Sequence, residues 1–211
     1  MNARETLKEL YEVYGISQWH DGSSKDFVMA YEKINYALWR KYEHKEITKD
    51  QLRTERFVLA FKEIGIKEEY LPENIWLDYL KRCPKKSNLI KDTILVCDYL
   101  FPKYEMHLIT NGFEETQNIK VESSNLQKYF KTLTTSECVG VAKPQPEIYF
   151  EALSKANAKP EECIMIGDNL VNDVLGAMQH GIDSIWYNPE GLKSEKPVSE
   201  IKGLRELIQM L

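Results

Sequence analysis

The sequence predicts an α/β protein: a small helical bundle followed by a parallel sheet with helices on both faces. Three observations lead there. Residues 1 to about 82 place apolar side chains at helical spacing throughout. From about residue 88, short apolar strands alternate with helical segments, the pattern of βαβ units. The chain has 211 residues, 43% hydrophobic and 29% charged, enough for a sizeable core in one or two domains. The expected division is 1–82 and 83–211.

In the first part, Leu7, Leu10, Tyr11 and Tyr14 recur at helical spacing, and Gly15 is the expected stop. Asp26 to Tyr42 continues the pattern through Phe27, Tyr31, Ile34 and Leu38. Thr48 and Gln51 form a capping-box sequence ahead of Leu52, Phe57, Leu59 and Phe61, with Gly65 closing that helix. Leu71 to Leu80 completes a set of four helices with short connections, which suggests a bundle.

In the second part, Leu89 to Leu100 reads as helix, Met106 to Thr110 as strand and Glu114 to Ser123 as helix. Lys131 to Thr135 is a weaker strand. Pro146 to Ala156 is a helix with proline in its first turn. Cys163 to Ile166 is a strand, Leu170 to His180 a helix, Ser184 to Tyr187 a strand and Ile201 to Leu211 a final helix. Asn188 to Ser199 is a loop.

Net charge is 28 − 33 = −5, which argues against a nucleic acid polymer or an anionic membrane as partner. No apolar run is long enough for a membrane span, and the polar N-terminus lacks a signal-peptide core. Cys83, Cys97, Cys138 and Cys163 are widely spaced and read as reduced thiols in a cytoplasmic protein.

Three motifs carry chemistry. Thr110 ends an apolar strand, at the sheet edge where α/β proteins bind ligands. Its hydroxyl and the N–H groups of Asn111 and Gly112 can cradle a phosphate oxygen, although Asn-Gly is also a common turn pair. Lys143, before Pro144, can set an ammonium beside a phosphoryl group, or lie solvated on the surface. Asp168 follows the strand Cys163 to Ile166, and Asp173 lies five residues on, about one helical turn. Two carboxylates there suit Mg²⁺, or else cap a helix and favour its dipole. The order of all three along one sheet edge favours a phosphate site.

Ile109-Thr110-Asn111-Gly112-Phe113, Val141-Ala142-Lys143-Pro144 and Gly167-Asp168 through Asp173 resemble the second, third and fourth motifs of haloacid dehalogenase-like hydrolases. The resemblance implies a Rossmann-like parallel-sheet core with a helical-bundle cap. Tyr31 to Trp39, Ile47-Thr48 and Arg53 to Phe57 are similar to the cap of a bacterial branch that contains pyrimidine 5′-nucleotidases. By that resemblance the substrate is a small phosphorylated molecule, with nucleoside monophosphates the first guess, and the cofactor is Mg²⁺. Thr110 holds a phosphoryl oxygen, Lys143 neutralises it, Asp168 binds the metal, and Asp173 supports the metal or the lysine. A first-motif aspartate forms an aspartyl-phosphate, and a second aspartate two residues on serves as acid and then base.

That first motif, D-x-D after an apolar strand, occurs nowhere in the 211 residues. The family places it before the cap, on a central strand between those ending at Thr110 and at Ile166. A strand and its loop, roughly twenty residues, are expected upstream of Met1. A late start codon and a true truncation both account for this, and the retained Thr110, Lys143 and Asp168 favour the first. Asp98, after Ile94 to Cys97, has Leu100 where a second acid would stand. It lies only twelve residues before Thr110 and is assigned to a helix. The chain as given is therefore expected to be an inactive form of a Mg²⁺-dependent phosphatase. The alternatives are a metal-independent dehalogenase, a phosphomutase, or a non-catalytic phosphate-binding fragment.

Overall fold

The computed structural model describes residues 2–211, which divide into two compact units between Asn88 and Leu89. The first contains four helices: α1 (Asn2–Val13), α2 (Ser24–Glu43), α3 (Lys49–Glu63) and α4 (Ile75–Arg82). Leu7, Leu10 and Tyr11 of α1 are buried against Phe27 and Tyr31 of α2, Phe57 and Phe61 of α3, and Ile75 and Tyr79 of α4. Gly15 stops α1 in the left-handed region, φ 59°, which glycine enters without a Cβ penalty. The expected capping box is present: Thr48 N–H donates to Gln51 Oε1 at 2.8 Å, and Gln51 N–H to Thr48 Oγ1 at 3.2 Å. The fourth helix starts later than the spacing predicts, at Ile75. Leu71 precedes Pro72 and takes an extended conformation, which keeps it out of a helix.

Inside this bundle Arg56 is 5% exposed. Its guanidinium carbon lies 4.9 Å from the Tyr79 ring centroid, 5.6 Å from Phe57 and 5.7 Å from Tyr31. Its hydrogen-bond acceptors are neutral: Arg53 O at 3.3 Å and Asn35 Oδ1 at 3.4 Å. Burial pushes the Tyr31 phenol up to about 12, an effect the Arg56 charge partly opposes.

The second unit alternates helix and strand. It comprises α5 (Thr93–Leu100), β1 (Met106–Thr110), α6 (Glu114–Ser123), β2 (Phe130–Thr135), α7 (Ser136–Val139), α8 (Pro146–Ala156) and β3 (Ile164–Gly167). A π-helical turn (Leu170–Leu175) then leads to α9 (Gly176–Met178), β4 (Asp183–Tyr187), β5 (Ser199–Ile201) and α10 (Leu207–Met210). Asp98 lies within α5, as expected, and accepts from Tyr129 Oη at 2.6 Å. The four cysteines are unpaired thiols. Among the described residues no helix is long and apolar enough to cross a membrane.

Three expectations are corrected here. The helix expected from Leu89 begins at Thr93, because Asp92 is left-handed, φ 65°, and the Thr93 hydroxyl closes a turn on Ile90 O at 2.7 Å. The helix expected from Leu170 to His180 opens as a π turn. The helix expected from Ile201 to Leu211 is instead the end of β5 followed by a short 3₁₀ turn and α10, because Ser199–Ile201 pairs with β4. A three-residue strand carries no readable alternation, so pairing decides it.

All pairing is parallel, in two separate ladders: β1 with β2, and β3-β4-β5. The pieces lie in one layer, since two apolar clusters cover both. Met106 and Ile166 pack on the cluster of Val96, Leu100, Ile185 and Leu207. Ile109 and Met165 pack on the opposite cluster, Ile148, Tyr149, Ala177 and Ile182. Among the described residues no strand lies between β1 and β3.

Candidate functional site

The carboxyl ends of β1 and β3 converge on one side chain. Lys143 is 7% exposed, and its Nζ donates to Ile109 O at 3.0 Å and to Asp173 Oδ1 at 2.6 Å. An ammonium has three donors, so one hydrogen is left. A surface lysine is ruled out by this burial. Asp173 is 5% exposed and its second oxygen accepts from Asn169 N–H at 3.0 Å. Both carboxylate oxygens are thus occupied.

Local sequence explains why Asp173 reaches this position. Gly167 ends β3, and a Cβ there would lie 2.4 Å from Asp173 Cβ and Oδ2, so only hydrogen fits. Asn169, not Asp168, caps the following turn: its Oδ1 accepts from Val171 N–H at 3.1 Å and Asn172 N–H at 2.8 Å. The Tyr149 hydroxyl donates to Asn172 O and braces the same turn. Burial, reinforced by the nearby Asp173 carboxylate, pushes the Tyr149 phenol up and keeps it a donor.

Lys143 is held at its backbone as well. Asn111 Oδ1 accepts from Lys143 N–H at 2.7 Å, and Asn111 Nδ2 donates to Lys143 O at 3.0 Å. The Asn111 carbonyl accepts from Ser136 Oγ at 2.9 Å. The Lys143–Pro144 peptide bond is cis. Thr110 Oγ1 accepts from Gly112 N–H at 3.0 Å, which leaves the Thr110 hydroxyl hydrogen free to donate.

The structure brings Thr110, Asn111, Gly112, Lys143 and Asp173 together, with different roles for Asn111 and Gly112. The Asn111 side chain clasps the lysine loop. Gly112 N–H is engaged by Thr110 rather than left for a phosphate oxygen. Of its two expected roles Asp173 takes the support of the lysine: one oxygen accepts from Lys143 and the other from Asn169, so neither is left open to a metal. Asp168 is exposed, its carbonyl accepts from Trp186 Nε1 at 3.0 Å, and its carboxylate has no partner among the described residues. Among those residues no cluster of three or more His, Cys, Asp or Glu could hold a metal ion. A site with one carboxylate, waters and substrate oxygens suits Mg²⁺, and Asp168 fits that part. Sequence reasoning gave no role to Asn169, Tyr149 or Gly167, although Gly167 stands in the fourth motif. Of these, only Asn169, a capping residue just before a helix, carried a readable signal.

The family model of haloacid dehalogenase-like hydrolases matches residues 3–187. The putative HAD-hydrolase YfnB of Bacillus subtilis is 30% identical over 196 residues, spanning 89% of this chain and 81% of that protein. The pyrimidine 5′-nucleotidase YjjG of Escherichia coli is 29% identical over 196 residues, spanning 90% and 84%. A crystal structure of YfnB bound to magnesium superposes with a TM-score of 0.86 at 27% identity, covering 99% of this chain and 90% of that one. The 2-haloacid dehalogenase of Pseudomonas syringae pv. Tomato shares the fold, with a TM-score of 0.66 at 22% identity and coverage of 98% and 90%. The chain belongs to the haloacid dehalogenase-like hydrolases, a family of enzymes whose relatives of this chain include phosphatases and nucleotidases.

Proposed function

We infer that this site serves the hydrolysis of small phosphomonoesters, with the help of Mg²⁺ and of a further carboxylate. The observation that carries the reading is the buried Lys143 ammonium, fixed by Asp173 at the meeting point of two strand ends, with a donor hydrogen to spare. A fixed cation that needs no reorganisation stabilises charge developing on a phosphoryl oxygen. Thr110 donates its hydroxyl to a second oxygen. Asp168 would hold Mg²⁺, which when bound neutralises phosphate charge and orients the leaving group. Asn111 and Asp173 are positioning residues that act through Lys143.

The covalent route needs a further carboxylate beside Lys143. Its oxygen attacks phosphorus, the P–O bond to the alcohol breaks, and the alcohol leaves with a proton from a neighbouring acid. Water then attacks the phosphorus of the acyl phosphate, releasing inorganic phosphate and the carboxylate. No D-x-D pair occurs in these 211 residues, and both Asp173 oxygens are engaged, so we propose that the 211-residue chain does not turn over. Residues 1–82 are proposed as the substrate-selecting cap and 83–211 as the hydrolase core. Nucleoside 5′-monophosphates are the first substrates to try, because two relatives, at 29% and 28% identity, are pyrimidine 5′-nucleotidases.

The test compares the 211-residue chain with a version extended by an N-terminal strand ending in D-x-D. Each is given p-nitrophenyl phosphate or a 2-haloacid, with Mg²⁺ or with a chelator. Phosphate release only by the extended chain, and only with Mg²⁺, is expected. Chelator-resistant halide release would favour dehalogenation, and equal phosphate release by the shorter chain would remove the nucleophile argument.

A further inference from the structure

We propose that the helical unit binds a chloride-sized monovalent anion in its interior, between the guanidinium of Arg56 and the hydroxyl of Tyr31. Charge balance points to it first. Arg56 is buried, and among the described residues it forms no ion pair. A buried charge is ordinarily paired, because desolvation is costly without a counter-charge. Acids of the same unit are engaged elsewhere: Glu32 pairs with Arg4, Glu63 with Lys33, and Glu5 and Glu9 with Lys86. Asp78 accepts from the Tyr14 hydroxyl at 2.9 Å.

The donors define the occupant. A guanidinium carries five N–H groups and accepts nothing. Only two of those of Arg56 reach acceptors among the described residues, at 3.3 Å and 3.4 Å. Both are longer than an ordinary N–H···O bond of about 2.9 Å. The second donor is Tyr31, 2% exposed, whose hydroxyl makes no hydrogen bond among the described residues although the Tyr79 ring lies 5.5 Å away. Leaving a buried hydroxyl unsatisfied is unfavourable. Its phenol, pushed up by burial, stays protonated at neutral pH and can donate. The Arg56 guanidinium carbon is 5.7 Å from the Tyr31 ring centroid, so the two donors are neighbours. Two donors and one uncompensated positive charge call for an acceptor that carries negative charge.

Burial sets the size. Phe57 and Tyr79, which also flank the guanidinium, are 1% and 8% exposed. A carboxylate or phosphate ester would have to bring the rest of its molecule past these rings, whereas a single-atom anion would not. A water molecule could accept from Tyr31 but would leave the Arg56 charge uncompensated. The ring faces offset part of the desolvation of the cation and leave the Tyr31 hydroxyl unanswered. The site lies wholly within the helical unit, so it stands or falls independently of the phosphatase reading.

The test is thermal unfolding of the 211-residue chain, followed by helical circular dichroism, as sodium chloride replaces sodium gluconate at constant ionic strength. Gluconate is too large for the site and keeps general screening unchanged. Chloride should raise the midpoint of the unsubstituted chain by about 2–4 °C, as a ligand of the folded state does. Arg56→Met should show no rise. In gluconate it should equal or exceed the unsubstituted chain, because there the buried charge is only a cost. Tyr31→Phe keeps the ring and loses the donor, so it should show about half the rise or less. Crystals soaked in sodium bromide should give an anomalous peak in contact with the Arg56 guanidinium. No chloride-dependent rise in the unsubstituted chain, an equal rise in Arg56→Met, a full rise in Tyr31→Phe, or an ordered water where the bromide is expected would overturn the proposal.

Discussion

Lys143 and Asp173 form a buried ion pair at 2.6 Å, each side chain 8% exposed, and the pair joins the ends of two strands that share no ladder. Removing one partner leaves a buried charge uncompensated, at a cost of about 3–5 kcal/mol. Asp173→Ala and Lys143→Ala should each lose about that much in urea unfolding. The double variant should lose less than the sum, by at least ~1 kcal/mol. Strict additivity would mean that the pair does not couple the strands.

Gly167→Ala probes the same pair without touching a charge. Its new methyl group would overlap the Asp173 side chain, which is fixed by two hydrogen bonds. Overpacking of this kind costs about 1–3 kcal/mol. An unchanged thermal midpoint would show that Asp173 has freedom the packing denies it.

Asn111→Ala removes both hydrogen bonds that clasp the Lys143 backbone. The expected loss is about 1–3 kcal/mol. In the strand-extended chain the kcat for phosphate release should fall more than KM changes, since a displaced ammonium harms the transition state first. A pure KM effect would place Asn111 in substrate binding instead.

Arg56 tests the helical unit. Its charge is buried among rings, and among the described residues its acceptors are neutral. Arg56→Met keeps most of the volume and removes the charge, so it should be neutral or stabilising, whereas Arg56→Ala should lose about 2–4 kcal/mol by opening a cavity. Equal losses for both would mean that the cation–π contacts, not the packing, hold the site.

His107 gives a pH signature. Desolvation lowers its pKa, and a ring nitrogen lies 2.8 Å from Thr132 Oγ1. For a base with a depressed folded pKa, the unfolded state takes up the proton first. The contribution is fully present above the unfolded value, near 6.5, and is lost as pH falls toward the folded value. His107→Gln should flatten the stability profile as pH falls below about 6.5. An unaltered slope would assign it to other groups.

Much of this was legible from residue order. The Thr48–Gln51 capping box, the strand ending at Thr110 and the meeting of Thr110, Lys143 and Asp173 follow from local chemistry and from the rule that ligands gather at one sheet edge. The Asn111 clasp was not, because it joins residues 32 apart and Asn-Gly looks like an ordinary turn. The π turn at Leu170–Leu175 was not either, since its apolar spacing fits an α-helix equally well. The short strand β5 exists through pairing with β4, which no local propensity announces.

Phosphate release from a nucleoside 5′-monophosphate by the strand-extended chain, compared with its Lys143→Met variant, tests the central claim most directly. The account predicts Mg²⁺-dependent turnover that falls by about 10³-fold or more in the variant, in line with the loss of one preorganised charge-stabilising group. Turnover that survives either the substitution or a chelator would contradict it.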